Sequence, residues 1–182
     1  MKKFSLIAIL FLGILFLENC KKDTVAATAT ATNKMIANIK DSTWFTDTVT
    51  SSLVYNSAAK TKTFTCEGTA FNRKVTISLT KSSSSNSSGF PLGTYTVDAT
   101  PNVQLAFLTP KRNGAGAIVW VPNGTVAPGS GSVIVSKVDS AKNEITGTFS
   151  FTTVINNPDG TVTIANVTGG GFNNVPYTFT SN

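Results

Sequence analysis

The chain has 182 residues, 41% of them hydrophobic and 13% charged, with 15 Lys and Arg against 9 Asp and Glu for a net charge of +6. It contains no histidine and two cysteines, which excludes Ser-His-Asp and Cys-His nucleophilic machinery and the commonest zinc ligands. The basic residues are scattered, with no run dense enough for a nucleic-acid footprint, so the charge supports no more than a mild attraction to anionic surfaces.

The amino terminus reads Met1-Lys2-Lys3, then an almost unbroken apolar run from Phe4 to Leu17, then Glu18-Asn19-Cys20. A short basic segment followed by a brief apolar stretch is the pattern of a secretory signal. As a helix the run would span roughly 21 Å, short of the roughly 30 Å hydrocarbon core, so a transmembrane anchor is the weaker reading. Leu17 stands three residues before Cys20, the Leu-x-x-Cys spacing at which signal peptidase II cuts and the cysteine is acylated with palmitoyl-type chains. Glu18 and Asn19 fill inner positions where such boxes usually carry small residues, which lowers the expected efficiency of cleavage. The expected division is a signal peptide over 1–19, a lipidated Cys20 with a flexible tether over 20–33, and one domain over 34–182. The tether is small, polar and without a periodic apolar face. About 160 residues suit a single domain with a sizeable core.

From Met35 onward the pattern changes to short alternating segments separated by Gly, Pro, Asn and Ser, with no helical periodicity of useful length. Strands are expected at Met35–Lys40, Thr48–Tyr55, Thr61–Cys66, Gly93–Val97, Gln104–Leu108, Ala117–Val121 and Val175–Phe179. Val75, Ile77 and Leu79 alternate with Thr76, Ser78 and Thr80. Ser82 to Ser88 reads as a low-complexity loop, and Val121-Pro122-Asn123-Gly124 as a turn. The clearest strand is Glu144 to Val154, with Ile145, Gly147, Phe149 and Phe151 on the buried face and Thr146, Thr148, Ser150 and Thr152 on the wet one. Ser132–Val138 should form a hairpin with it across residues 139–143. Pro158-Asp159-Gly160 should turn it into a second hairpin with Thr161–Val167, where Val162 and Ile164 make the apolar face against Thr161 and Thr163. Roughly ten short strands with regular turns indicate an all-β fold, an antiparallel β-sandwich or a flattened barrel.

Four segments carry a resemblance when taken in order: Gly93-Thr94-Tyr95-Thr96-Val97, Gly131-Ser132-Val133-Ile134-Val135, Ile145-Thr146-Gly147-Thr148-Phe149-Ser150-Phe151, and Gly170-Gly171-Phe172-Asn173-Asn174-Val175-Pro176-Tyr177. With Trp44 near the domain start, the chain resembles Bacteroidota lipoproteins of the domain-of-unknown-function group 6252 over roughly residues 35–180. The resemblance implies a lipid-anchored, sandwich-like domain with no assigned activity, and it carries over no catalytic residues.

The candidate functional residues are few. If Cys20 is lipidated, Cys66 has no disulfide partner; it alternates with polar residues on the side of Phe64 and reads as a small buried hydrophobe. Asp139 and Glu144 flank one hairpin connection, a carboxylate pair that a glycan hydrolase would use only at a defined separation. On an exposed turn both read as solvated. Asp159 lacks the alternating acidic ligands of a calcium loop and reads as a turn residue. No metal and no cofactor are expected. Trp44, Tyr55, Tyr95, Trp120 and Tyr177 are the aromatics that could line a sugar-binding face, and of these Trp44, beside Phe45, reads as core. Trp120 alternates with Ile118 ahead of a turn and is the candidate ligand-binding residue. Three triplets resemble acceptors of O-linked glycans: Asp23-Thr24-Val25, Asp47-Thr48-Val49 and Asp139-Ser140-Ala141, with Thr24, Thr48 and Ser140 as the hydroxyls. The expected function is a non-enzymatic binding or structural module of the cell envelope, in the outer membrane and on either face, with a glycan or an envelope protein as partner and no nucleic acid. The alternatives are a carboxylate-dependent glycan hydrolase and an assembly or inhibitor protein acting by β-strand addition.

Overall fold

The computed structural model describes residues 34–182, and every regular element among them is a strand. In chain order these are β1 (Met35–Ile39), β2 (Ser42–Thr46), β3 (Val49–Asn56), β4 (Thr61–Ala70), β5 (Arg73–Ser82), β6 (Gly93–Thr96), β7 (Val103–Arg112), β8 (Ile118–Pro122), β9 (Thr125–Asp139), β10 (Glu144–Asn156), β11 (Val162–Pro176) and β12 (Thr178–Ser181). They form two six-stranded sheets, β2-β1-β11-β10-β9-β6 and β12-β3-β4-β5-β7-β8. Every pairing is antiparallel except β12 with β3. The two sheets are separate and face each other, which makes the fold a sandwich; the flattened barrel is set aside.

Alternation builds the core. Ile145, Phe149, Phe151, Val133, Val135, Val167 and Phe172 from the first sheet meet Phe64, Cys66, Val75, Ile77, Leu79 and Leu105 from the second, all of them buried. At about 25 cal/mol per Å² of apolar surface removed from water, this layer supplies the main drive to fold. Phe64 sits at its centre, with ring centroids 6.0 Å from Phe90, 6.2 Å from Phe172 and 6.4 Å from Tyr177.

The serine-rich segment after β5 is strapped down rather than loose. Lys62 Nζ donates to Ser87 Oγ at 3.0 Å and to the Gly89 carbonyl at 2.5 Å. Tyr177 donates its hydroxyl proton to the Ser88 carbonyl, and Tyr95 to the Pro91 carbonyl at 2.6 Å. Between these ties Phe90 plugs the end of the core.

Three expectations need correction. Val162 and Ile164 are exposed, and the buried residues of that segment are Ala165 and Val167. The cause lies in the register: Phe151 pairs with Val167 and Thr153 with Ala165, so the odd positions of β10 that carry the aromatic core bring odd positions of β11 inward. A single-residue change of phase moves a whole apolar set to the other face. Further along, the one residue between Phe149 and Phe151 opposes the two between Val167 and Gly170, a bulge at Gly169 with φ +57° that resets the phase so that Phe172 faces inward. Second, Thr48 does not begin a strand; β3 starts at Val49, and Thr48 lies on the exposed connection from β2. Third, the last expected strand is two pieces, since β11 runs to Pro176 and β12 begins at Thr178.

Candidate functional site

Each sheet has one buried and one wet face, and the wet face of the β12–β8 sheet holds the densest grouping of chemically distinct side chains. Its strands alternate so that Phe64, Cys66, Val75, Ile77 and Leu105 point inward, leaving Thr65, Glu67, Thr76, Ser78 and Gln104 outward. These outward residues, with Ala106, line a shallow depression of about 340 Å³. Neighbouring hydroxyls are paired across strands: Ser52 Oγ lies 2.7 Å from Thr65 Oγ1, and Thr63 Oγ1 3.1 Å from Thr80 Oγ1.

At one border of the depression stands a row of three groups. Lys74 Nζ donates to Glu67 Oε2 at 3.2 Å and lies 5.2 Å from the centroid of the Trp120 ring. Pairing places them there. Glu67 sits opposite Thr76, Lys74 opposite Leu108, and Trp120 opposite Pro110 on the β7–β8 hairpin. The half-exposed indole is thus held by an ammonium reaching across β7, a contact favoured by the ring's negative face. The surface offers neutral hydroxyl donors and acceptors, an amide at Gln104, one carboxylate and one aromatic edge, which is chemistry suited to a polyhydroxylated ligand.

A second polar depression, about 480 Å³, lies on the outer face of the other sheet and is lined by Thr94, Thr96, Ser130, Ser132, Ser150 and Thr152. It carries hydroxyls alone, without an aromatic or charged group.

The other aromatics weighed for a sugar face are structural. Trp44, Tyr55, Tyr95 and Tyr177 are buried. Trp44 donates its indole N–H to the Ala70 carbonyl at 3.1 Å. Burial pushes the phenols of Tyr95 and Tyr177 above their ordinary range, the latter helped by the Asp139 charge. Cys66 is free and buried, with its thiol 3.6 Å from Met35 Sδ. Burial first, and the neighbouring Glu67 charge second, push its pKa up to about 12, so it is a protonated core residue at neutral pH. Lys62 is buried along its stem, and desolvation draws its ammonium below the usual range.

Asp139 and Asp159 are engaged by their own turns. Asp139 and Glu144 face each other across the first hairpin, but Asp139 Oδ1 accepts the backbone N–H groups of Ala141 and Lys142, both at 3.1 Å. Asp159 Oδ1 accepts from Thr161 N at 2.9 Å and Thr161 Oγ1 at 2.6 Å, bonds that hold its carboxyl below the ordinary value. Among the described residues no three Cys, Asp or Glu side chains come together as a metal site, and no helix is long and apolar enough to cross a membrane. Of the hydroxyls read as glycan acceptors, Thr48 and Ser140 are exposed on connections; Thr24 and the lipidation residue Cys20 lie outside the described residues. Glu67 and Lys74 were not legible as site residues, because nothing along the chain says which strand lies beside Trp120.

Comparison with known families gives one match: a domain of unknown function, DUF6252, over residues 31–176. No curated protein matches the chain, and no solved structure does.

Proposed function

The chain belongs to the DUF6252 family, and from that premise we propose that it is a non-enzymatic lipoprotein of the bacterial cell envelope, anchored in the outer membrane through Cys20, which binds glycan on the outer face of the β12–β8 sheet. The observation that carries the binding reading is the row Glu67–Lys74–Trp120 beside a hydroxyl-lined depression. Hydroxyl ladders and a carboxylate match the alternating donors and acceptors of a sugar ring, and the indole, with Lys74 over its ring, offers an aromatic edge beside them. The anchoring reading rests on the apolar run from Phe4 to Leu17 and on the spacing of Leu17 to Cys20. A hydrolase would need two converging, accessible carboxylates, and Glu67 stands with an ammonium as its partner rather than a second acid.

The test is a glycan array probed with the parent protein and with Trp120→Ala. Binding to a restricted set of envelope glycans, weakened about tenfold or more in Trp120→Ala, is the expected result; losing an aromatic platform removes roughly 1.5–3 kcal/mol of burial. Equal binding by parent and variant would move the site elsewhere, and an empty array would overturn the glycan reading.

A further inference from the structure

One end of the sandwich gathers exposed aromatic and aliphatic side chains. Phe45 is 43% exposed and Phe71 69% exposed, and their rings meet edge to face with centroids 5.7 Å apart. Phe71 and Asn72 form the two-residue turn from β4 to β5, with φ of 50° and 56°. A bulky side chain enters that left-handed region at a cost, and turns of this kind favour Gly, Asn or Asp. The chain nevertheless holds an aromatic ring in solvent there. Register extends the patch. Lys74 pairs with Leu108, and β7 and β8 continue past that level to set Ile118 opposite Arg112; Ile118 is 63% exposed. Arg73 at the start of β5 and Lys111 and Arg112 at the end of β7 flank the β4–β5 and β7–β8 turns, neither of which contains an acidic residue. The described chain also enters close by. The Lys34 backbone N–H donates to Asp47 Oδ1 at 3.2 Å, and Val49, two residues on, pairs with Gly68, three residues before Phe71.

We infer that this end docks on a lipid bilayer surface, with Phe45 and Phe71 seated at the boundary of headgroups and acyl chains and Arg73, Lys111 and Arg112 over anionic headgroups. The inference rests on the anchoring proposed at Cys20. Residues 20–34 reach at most roughly 50 Å fully extended, so a lipidated Cys20 keeps the patch within reach of the membrane, where two rings and a few cations suffice to hold a face that would bind only marginally from solution. Aromatic rings at the headgroup level are the usual interfacial anchors. Docked this way, the depression beside Trp120 opens sideways along the membrane.

The experiment uses the full chain from a native-type host, reconstituted on phosphatidylcholine vesicles containing phosphatidylglycerol. Phe71→Trp adds an indole at the patch; Ser140→Trp adds one at the opposite end, beside the loop that Ser88 ties to Ser140. Flotation reports anchoring, and quenching by nitroxide-bearing lipids reports which face meets the bilayer. The expected result is flotation of both variants, with the added emission blue-shifted and quenched in Phe71→Trp and unquenched in Ser140→Trp. Flotation with unquenched, water-exposed emission from Phe71→Trp overturns the docking and leaves the anchor standing. A parent chain that does not float overturns both. A blue shift that follows protein concentration and ignores the nitroxide lipids assigns the patch to a second copy of the chain and overturns docking on lipid.

Discussion

Cys66 shows how much of a residue's chemistry its surroundings decide. The same thiol in water would be partly ionised at mildly alkaline pH, but between Phe64 and Ile77 in the core its pKa stands at about 12 against an ordinary 9.0. A group whose pKa is raised by folding contributes stability that is fully present below the unfolded value and is lost as pH climbs towards the folded one. The shift corresponds to about 4 kcal/mol, lost between pH 9 and pH 12. Tyr95 and Tyr177, also raised, lose stability in the same direction at somewhat higher pH, so the thiol's share must be isolated by difference. Urea unfolding of parent and Cys66→Ala at stepped pH should show the parent losing more stability over that window. A thiol reagent should leave the native parent untouched at pH 8 and react fully in denaturant. Rapid native labelling, or identical pH slopes for the two proteins, would mean that Cys66 is not in the core.

The strands follow from alternation and the faces follow from bulges, and these two facts are unequally visible in a sequence. Ile145, Gly147, Phe149 and Phe151 announce their inward face directly, and the structure buries them. Val162 and Ile164 alternate just as cleanly and point outward, because their phase is set by pairing with β10 and reset by the bulge at Gly169. That bulge belongs to two strands at once and no single segment encodes it. β2 has no strand signal of its own in the sequence, although Trp44 within it reads as core. At the site, Trp120 is legible as an aromatic that alternates with Ile118 just ahead of a turn, whereas Glu67 and Lys74 become its neighbours only when β4, β5, β7 and β8 are laid side by side. The glycines on the inward faces are the most informative residues at this scale. Gly147 lies directly opposite Phe172, and Gly170 directly opposite Phe149; a Cβ on either glycine would collide with the facing ring. Each absent side chain makes room for an aromatic on the next strand. Gly147→Val should therefore cost about 3 kcal/mol by overpacking, and Phe149→Asp more, through an unpaired buried charge. Thr148→Val, on the wet face between them, should stay within about 0.5 kcal/mol of the parent. Denaturant midpoints check all three, and a Gly147→Val protein as stable as the parent would show that the β10–β11 register is wrong.

At the scale of the whole molecule, position and binding are separate claims joined by the tether. The sandwich presents a hydroxyl-rich face with one aromatic–ammonium–carboxylate row, and its patch of exposed phenylalanines stands at the end where the chain enters. Under the proposed anchoring both features would act on a domain confined to a membrane surface, where a weak ligand site and a weak lipid contact would operate at high local concentration. The proposed confinement depends on lipidation at Cys20, and Thr24 together with the exposed hydroxyls of Thr48 and Ser140 are the proposed acceptors of sugar. Intact-mass measurement of the protein from a native-type host tests the anchoring most directly. The account predicts a polypeptide beginning at Cys20 with the added mass of a lipid, any hexose-scale increments falling in Thr24→Ala, Thr48→Ala or Ser140→Ala. A mass equal to unmodified polypeptide, or to a chain cut at a residue other than Cys20, would contradict it.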